Sequence, residues 1–570
     1  PDALVQVLLD SSLDSVVADR IRGKPAAEAE EAILGITVCD PACGSGHFLI
    51  AAAHRLARHL ARVRSGEQQP GADDYQHALR DVIGRCIYGV DLNPMAVELC
   101  KVTLWMEAIE PGKPLSFLDH HIQAGNSLLG TTPRLLKGGI PSEAFKAVEG
   151  DDSTVASGLR ADNERERAHV RSGYSFLSAP YIKLGNLPAE FARLSVAADS
   201  INDVRAAETA YARLVSSAEY VSARLLADLW CSAFVWRKDA TERGKLCPTE
   251  QMFRQAEANP HSLLPEVREE VERLRDHYRF FHWHLAFPEI FTLPAGEAEP
   301  ENDHAGWNGG FACVLGNPPW DTLSPDAKEF FSQYDPEIRS QDKAGQEETI
   351  ARLVEEPRIA AAWAENRRDI YASVLFIKGS GRYRLFAPGN LGKGDFNVFR
   401  MFVELALDHT RPGGFASQIV PDGLYGGANS MALRKELFER FTLTRLWAFE
   451  NLREVWFEGI DGRTKFCLYA ARKAGSTDSF QAAFRIKSHE DLSVAKAGNE
   501  LTIPVAVVRE FSPLALAVAE ASSQYEIDVA RKMYGRWPKF ADAAAPGPLR
   551  EYMREVDMGN DRDLFSDAHT

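Results

Sequence analysis

The sequence predicts an α/β protein with a doubly wound, Rossmann-like sheet broken by a helical insertion. Three observations predict it. Short apolar runs end on Asp40 and on Asp91, and each is followed by a turn and a helical stretch. From about 131 to 310 the chain turns polar and helical, with charged stretches at 161–171 and 265–279. Apolar, strand-like runs then return at 311–315, 415–420, 443–449 and 465–471.

Taken in order, residues 1–30 read as helical, with Leu4, Val5, Leu8 and Leu9 on one side. Residues 34–39 form a strand ending at Asp40, then come a glycine-rich turn, a helix over about 48–64 and a polar loop at 65–74. A second helix leads into the strand Cys86–Val90 and to Asp91. The next helix runs from Pro94 to about Ile109, with proline in its first turn. The expected division is a first half of the sheet domain at 1–130, a helical insertion at 131–280, a second half at 281–475 and a C-terminal segment at 476–570. The chain opens on Pro1-Asp2-Ala3 without an initiator Met and reads as a fragment.

At 570 residues the chain is expected to hold more than one module. Its 45% hydrophobic and 26% charged content is that of ordinary globular proteins. No apolar run reaches the ~18 residues a membrane helix needs, and no signal-peptide pattern opens the chain, so no membrane association is expected. Cys39, Cys43, Cys86, Cys100, Cys231, Cys247, Cys313 and Cys467 are scattered without a CxxC pair. They read as buried small hydrophobes, with no disulfide framework and no metal site, in a reducing cytoplasm. The net charge of −16 argues against a long DNA-gripping surface and leaves room for a local basic groove or a partner subunit.

Four motifs carry the chemistry. In Val38-Cys39-Asp40-Pro41-Ala42-Cys43-Gly44-Ser45-Gly46-His47-Phe48 a strand enters a tight turn and then a helix, whose free N–H groups suit an anionic ligand group. Asp-Pro at its start and the lack of a third spaced glycine argue against a nicotinamide dinucleotide site. In Tyr88-Gly89-Val90-Asp91-Leu92-Asn93-Pro94 the acid ending the second strand can hold both ribose hydroxyls of a nucleoside; the alternative is a turn or helix cap. Ala124-Gly125-Asn126-Ser127-Leu128 follows an expected third strand, where a polar side chain can meet a ligand base; the alternative is a Gly-Asn turn. In Val314-Leu315-Gly316-Asn317-Pro318-Pro319-Trp320, the Asn317 oxygen and the Pro318 carbonyl can accept both N–H bonds of a conjugated amine and draw its lone pair out of the ring plane. The prolines pre-set the turn, and Trp320 offers a flat face on which an extruded base can stack.

At these residues the chain resembles the amino-group-specific, adenine-N6 DNA methyltransferases. DPACGSGHF, YGVDLNP, GNSLL and NPPW follow one another as that family's motifs do. The resemblance implies an S-adenosylmethionine-dependent methyltransferase sheet, with 1–130 its cofactor-binding half and 281–475 its catalytic half. It implies that Asp40, Pro41, Ala42, Gly44, Gly46 and Phe48 line the methionine end of S-adenosylmethionine. Asp91 and Leu92 would hold the ribose and adenine; Asn126, where the family often has Asp, and Ser127 would follow them. Asn317, Pro318, Pro319 and Trp320 would form the target-base site in double-stranded DNA. Phe281–Phe291 and Gly392–Phe399 resemble segments of the large methylases of combined restriction–modification enzymes and of BREX and DISARM phage-defence systems. This implies restriction or defence partner subunits, and a target-recognition or partner-binding region beginning in 476–570. Pro1-Asp2 resembles the tail of a Tyr-Thr-Pro opening that packs on the cofactor.

Other residues carry weaker expectations. Lys378, Arg382, Arg384, Lys393 and Arg400 form a basic stretch, with Phe386 and Phe396 interleaved, that can touch DNA phosphates or simply face solvent. Tyr425 is a candidate wall residue, and Phe466 stands where the family presents an aromatic to the target base. His282, Trp283 and His284 read as packing residues. Three rivals stay open: methylation of another amino group (cytosine N4, RNA or protein glutamine), a defence subunit that senses cofactor or DNA without turnover, and a nicotinamide oxidoreductase.

Overall fold

The structure is a computed structural model that describes residues 2–171, 186–195, 200–296, 298–386 and 396–536. Pro1, Gly392, Lys393, Gly394 and Asp395 lie outside the described residues, as does 537–570. The strands are β1 (Val38–Asp40), β2 (Ile87–Asp91), β3 (Ile122–Ala124), β4 (Phe291–Thr292), β5 (Asn308–Gly309), β6 (Phe311–Gly316), β7 (Thr410–Pro421), β8 (Thr442–Glu450), β9 (Lys465–Arg472), β10 (Ser479–Ile486) and β11 (Leu501–Pro504).

Nine of them form one sheet in the order β11-β10-β8-β9-β7-β6-β1-β2-β3; β4 and β5 pair separately. β7, β6, β1, β2 and β3 run parallel, and β9 runs against both β7 and β8. This is the expected doubly wound α/β sheet, with reversed strands at β9 and β11. β10 and β11 extend the sheet past residue 475, so the segment expected to start a separate region supplies an edge of the same sheet.

Side chains alternate across the strands, as a pleat requires, and two cores result. Val38, Ile87, Ala312 and Leu315 face one core. There they meet α1 (Asp2–Ser11), α2 (Leu13–Ile21), α3 (Ala26–Leu34), α4 (His47–Ser65), α5 (Ala72–Cys86) and α6 (Pro94–Glu107). Leu4, Val5, Leu8 and Leu9 all reach this core. Cys39, Tyr88, Val90, Phe311 and Val314 face the other core, which the helices of the insertion cover. The insertion is thus the second layer over the sheet, built around the helices Ala218–Val235 and Pro265–Tyr278. A small satellite core of Phe331, Ile338 and Ile359 holds together the helices that follow the NPPW turn.

Candidate active site at the carboxyl edge of the sheet

β1, β2, β3 and β6 are parallel, so the loops that leave Asp40, Asp91, Ala124 and Gly316 emerge at one edge. Cys39 pairs with Val314 in register, which sets Asp40 beside the end of β6. Gly316 has φ +146°, and a β-carbon on it would lie 2.5 Å from Asp40 Oδ1. The two motifs that the sequence separates are thus in direct contact.

The loops surround a cavity of about 540 Å³. Pro41, Ala42, Asp91, Leu92, Asn126, Ser127, Asn317 and Pro319 all face it. The helices Pro357–Gly379 and Phe399–His409 close it with Ser373, Ile377 and Phe402. Asp40, Gly44, Gly46, Phe48, Pro318 and Trp320 are not on this wall. Asp40 lies beneath it, with Oδ1 accepting from the Ala42 N–H at 3.0 Å. Burial is the main cause that raises the Asp40 carboxyl from 3.8 to about 7, opposed by the Ala42 N–H and reinforced by the charge of Asp91.

Asp91 ties the first two motifs together. Its Oδ2 accepts from the Gly44 N–H at 2.8 Å and its Oδ1 from the Asn93 N–H at 2.8 Å. A carboxylate offers about four acceptor positions, so each oxygen keeps a free lone pair toward the cavity. The turn-capping bonds therefore leave acceptor capacity on Asp91 unused. Gly44 has φ +53°, and a β-carbon there would meet nothing within 4 Å. The loop bends around open space at the start of α4, where unbonded N–H groups suit an anionic ligand group.

Asn126 Oδ1 accepts from the Leu128 N–H at 3.1 Å, which shapes the third loop. Ser127 donates its hydroxyl to the Pro41 carbonyl at 2.6 Å and so links the third loop to the first. Asn317 is the unsatisfied member: its Oδ1 is buried and has no hydrogen-bond partner among the described residues. An orphaned buried acceptor costs roughly 1–3 kcal/mol, which an incoming N–H would recover.

Trp320 turns away from the cavity. Its ring packs edge-on to Phe457 at 5.4 Å and against Phe466 at 5.7 Å, and its Nε1 points to the Ile419 carbonyl at 3.4 Å. Phe466 is fully buried behind it, stacked on Phe449, so its ring has no face toward the cavity. Tyr425 is also elsewhere, donating its hydroxyl to Glu520 at 2.8 Å. The basic stretch is mostly internal: Arg382 pairs with Asp408 at 2.9 Å, Arg384 with Glu436 at 2.7 Å, and buried Arg400 lies over the Phe386 ring. Lys378 covers the Phe396 ring, and Lys393 lies outside the described residues. The expected phosphate contact thus has no support from Arg382 and Arg384, because carboxylates distant in sequence occupy their guanidinium groups.

Sequence reasoning read His282, Trp283 and His284 as packing residues, which are buried here, but missed that Arg279 and this segment brace the second and third loops. Arg279 ends the helix Pro265–Tyr278 with φ +54°. Its guanidinium donates to the Leu92 carbonyl at 2.6 Å, and its own carbonyl accepts from the Asn126 N–H at 2.7 Å. Phe281 fills the space above Gly125 and Gly130. His282 pairs through Nε2 with Asp228 at 2.9 Å and accepts at Nδ1 from the Thr131 N–H at 3.2 Å; Trp283 donates to the Ser127 carbonyl at 3.1 Å. No sequence signal pointed to Arg279, because an arginine has no preference for the left-handed conformation it adopts there.

Residues 85–350 match the family described as Eco57I restriction-modification methylase, and residues 21–113 match the MmeI DNA-methyltransferase domain. The chain resembles the amino-group DNA methylases of restriction–modification systems. The Eco57I-type match spans all of 131–280. A protein of Methanocaldococcus jannaschii described as a type II restriction enzyme and methyltransferase is 34% identical over 111 residues, 18% of this chain and 9% of that protein. The adenine-specific methyltransferase PglX of Streptomyces coelicolor is 39% identical over 74 residues, 13% of this chain and 6% of that one. The matched stretch is therefore less than a tenth of either relative's length. A modification subunit of a type I restriction enzyme from Vibrio vulnificus superposes with a TM-score of 0.32 at 12% identity, over 83% of this chain and 52% of that one. The methylase resemblance implies a methyl-donor cofactor. No helix among the described residues is long and apolar enough to cross a membrane.

Proposed function

We propose that this methylase domain transfers the methyl group of S-adenosylmethionine to N6 of an adenine flipped out of double-stranded DNA, within a bacterial restriction–modification or phage-defence system. The observations that carry the reading are the Asn317 Oδ1, buried and without a partner among the described residues, and the cavity that Asn317 and Asp91 both line. The residues present fit the donor. Asp91 would hold the ribose hydroxyls on its free lone pairs, with Leu92 and Asn126 flanking the adenine. Gly44, Gly46 and the start of α4 would receive the methionine carboxylate, with Pro41, Ala42 and Phe48 beside it. Asp40 would face its ammonium from below. When bound, S-adenosylmethionine supplies an electrophilic methyl on a positively charged sulfur.

The chain's own residues do the rest. Asn317 Oδ1 and the Pro318 carbonyl accept the two N–H bonds of the target amine and localise its lone pair. Pro319, exposed on the cavity wall, offers an apolar face to the extruded base. Trp320, gripped by Phe457 and Phe466, fixes the turn from behind. No general base is required before transfer, so catalysis consists of alignment and fixed dipoles. All eight cysteines are buried and unpaired, which suits a reducing bacterial cytoplasm. Partner subunits of the same system would act on DNA with it.

Asn317→Ala tests the reading. It is expected to lower kcat by about 10²–10³-fold, the usual effect of losing one aimed polar group, while S-adenosylmethionine binds as before. Mass spectrometry of digested DNA is expected to show N6-methyladenine. Unchanged turnover in Asn317→Ala would remove the proposal.

A further inference from the structure

A second cavity, of about 460 Å³, lies between the outer strand β3 and the helical insertion. Its wall combines Arg224, Arg275 and Arg279 with Tyr211, Tyr220 and Phe280. Neither Arg224 nor Arg279 has an ion pair among the described residues. Arg224 lies 5.8 Å from the centre of the Tyr220 ring, and Arg279 donates only to the neutral Leu92 carbonyl. Arg275 bonds Asp276 at 2.8 Å, and that aspartate is largely exposed. Three arginines and one carboxylate, Asp276, thus line a concave, aromatic-walled site, and only Arg275 is paired with that carboxylate, in a chain of net charge −16. Partly solvated guanidinium groups beside aromatic rings leave fork-shaped donors available to an anionic, planar ligand.

We propose that this cavity binds a free mononucleotide, with its phosphate on Arg224 and Arg279 and its base against the tyrosine rings. The volume suits a small ligand. A DNA strand offers the same phosphate chemistry, and the experiment below separates the two sources. The site is also wired to the first cavity. Arg279 holds the Leu92 carbonyl with its side chain and the Asn126 N–H with its backbone. A phosphate that draws the guanidinium away releases Leu92, so nucleotide and methyl donor change each other's affinity by the same factor. That coupling rests on the reading of Leu92 and Asn126 as cofactor wall; nucleotide binding itself does not.

The test is calorimetry and thermal unfolding of the full chain with adenosine monophosphate, inorganic pyrophosphate and a short DNA duplex. Each is measured with and without saturating S-adenosylhomocysteine, which blocks the first cavity. Adenosine monophosphate is expected to bind and raise Tm in both conditions. Binding should weaken by roughly tenfold or more in Arg224→Ala and measurably in Arg224→Lys, which keeps charge and stem but loses the fork. Asp91→Ala should leave it in place. Nucleotide binding without any S-adenosylmethionine binding would sink the methyl-donor reading and leave this site standing. Nucleotide binding that S-adenosylhomocysteine abolishes, or that both Arg224 variants retain in full, overturns the proposal. So does Arg224-dependent binding of duplex DNA with none of the nucleotide.

Discussion

The carboxylate of Asp40 occupies the space where a side chain on Gly316 would begin: a β-carbon there would stand 2.5 Å from Oδ1 and 2.9 Å from Oδ2. The loop after Asp40 and the turn after Gly316 therefore share one wall. Gly316→Ala is expected to lower stability by about 1–3 kcal/mol through overpacking and to impair cofactor affinity and turnover together. Denaturant unfolding and a binding isotherm on the same variant check this. A variant that loses turnover alone would show that the contact does not couple the two loops.

Asp40 makes stability depend on pH. Its carboxyl is 3.8 ordinarily and about 7 in the fold, so the folded chain holds a proton that the unfolded chain releases between those values. Its contribution is intact below about pH 4 and is lost as pH rises toward 7. Asp40→Asn should flatten unfolding free energy against pH in that window by up to one proton's slope. On the proposed placement, the ammonium of the methyl donor displaces this proton. Calorimetry near pH 6 in buffers of different ionisation enthalpy should then show net proton release on binding, absent in Asp40→Asn.

Asp91 serves two masters, the Gly44 amide and the cavity. Asp91→Ala is expected to weaken S-adenosylmethionine by about 1.5–3 kcal/mol for each charged hydrogen bond lost. Asp91→Asn keeps the shape and one acceptor oxygen and should fall between. Equilibrium dialysis measures both. Equal affinity in all three forms would mean that Asp91 only caps its turn.

Asp228 acts through His282. Removing it by Asp228→Ala leaves a buried imidazole without its acceptor, at a cost of roughly 1–3 kcal/mol, and loosens the segment that braces the third loop. Tm should fall, and Asp228→Asn, which keeps an acceptor, should restore much of it. Loss of turnover with unchanged Tm would instead place Asp228 in the chemistry.

The legible part of the site follows from strand direction. Asp40, Asp91 and Asn317 each end an apolar run, and parallel neighbours bring such ends to one edge. Trp320, Phe466 and the arginines were less legible because tertiary partners decide their orientation. Nothing in FNVFR announces that Arg400 lies buried over Phe386, nor in GRYRLF that Asp408 and Glu436 take its arginines. β10 and β11 were missed for another reason. In SFQAAFRI the apolar positions Phe480, Ala482, Phe484 and Ile486 do alternate, blurred only by Ala483, a period the sequence reading left unused, and LTIP is too short to carry a period. Arg279 shows the general limit: its hydrogen bonds join residues far apart in the chain.

β6 enters the sheet between β1 and β7, long after β1, β2 and β3 have been synthesised. Until Phe311–Gly316 emerges from the ribosome, β1 presents a bare row of amides and carbonyls with no neighbour on that side. A chain truncated before Phe311 is expected to leave that edge of β1 unpaired. The loop after Asp40 and the turn at Asn317 thus take up their places beside each other only when β6 arrives.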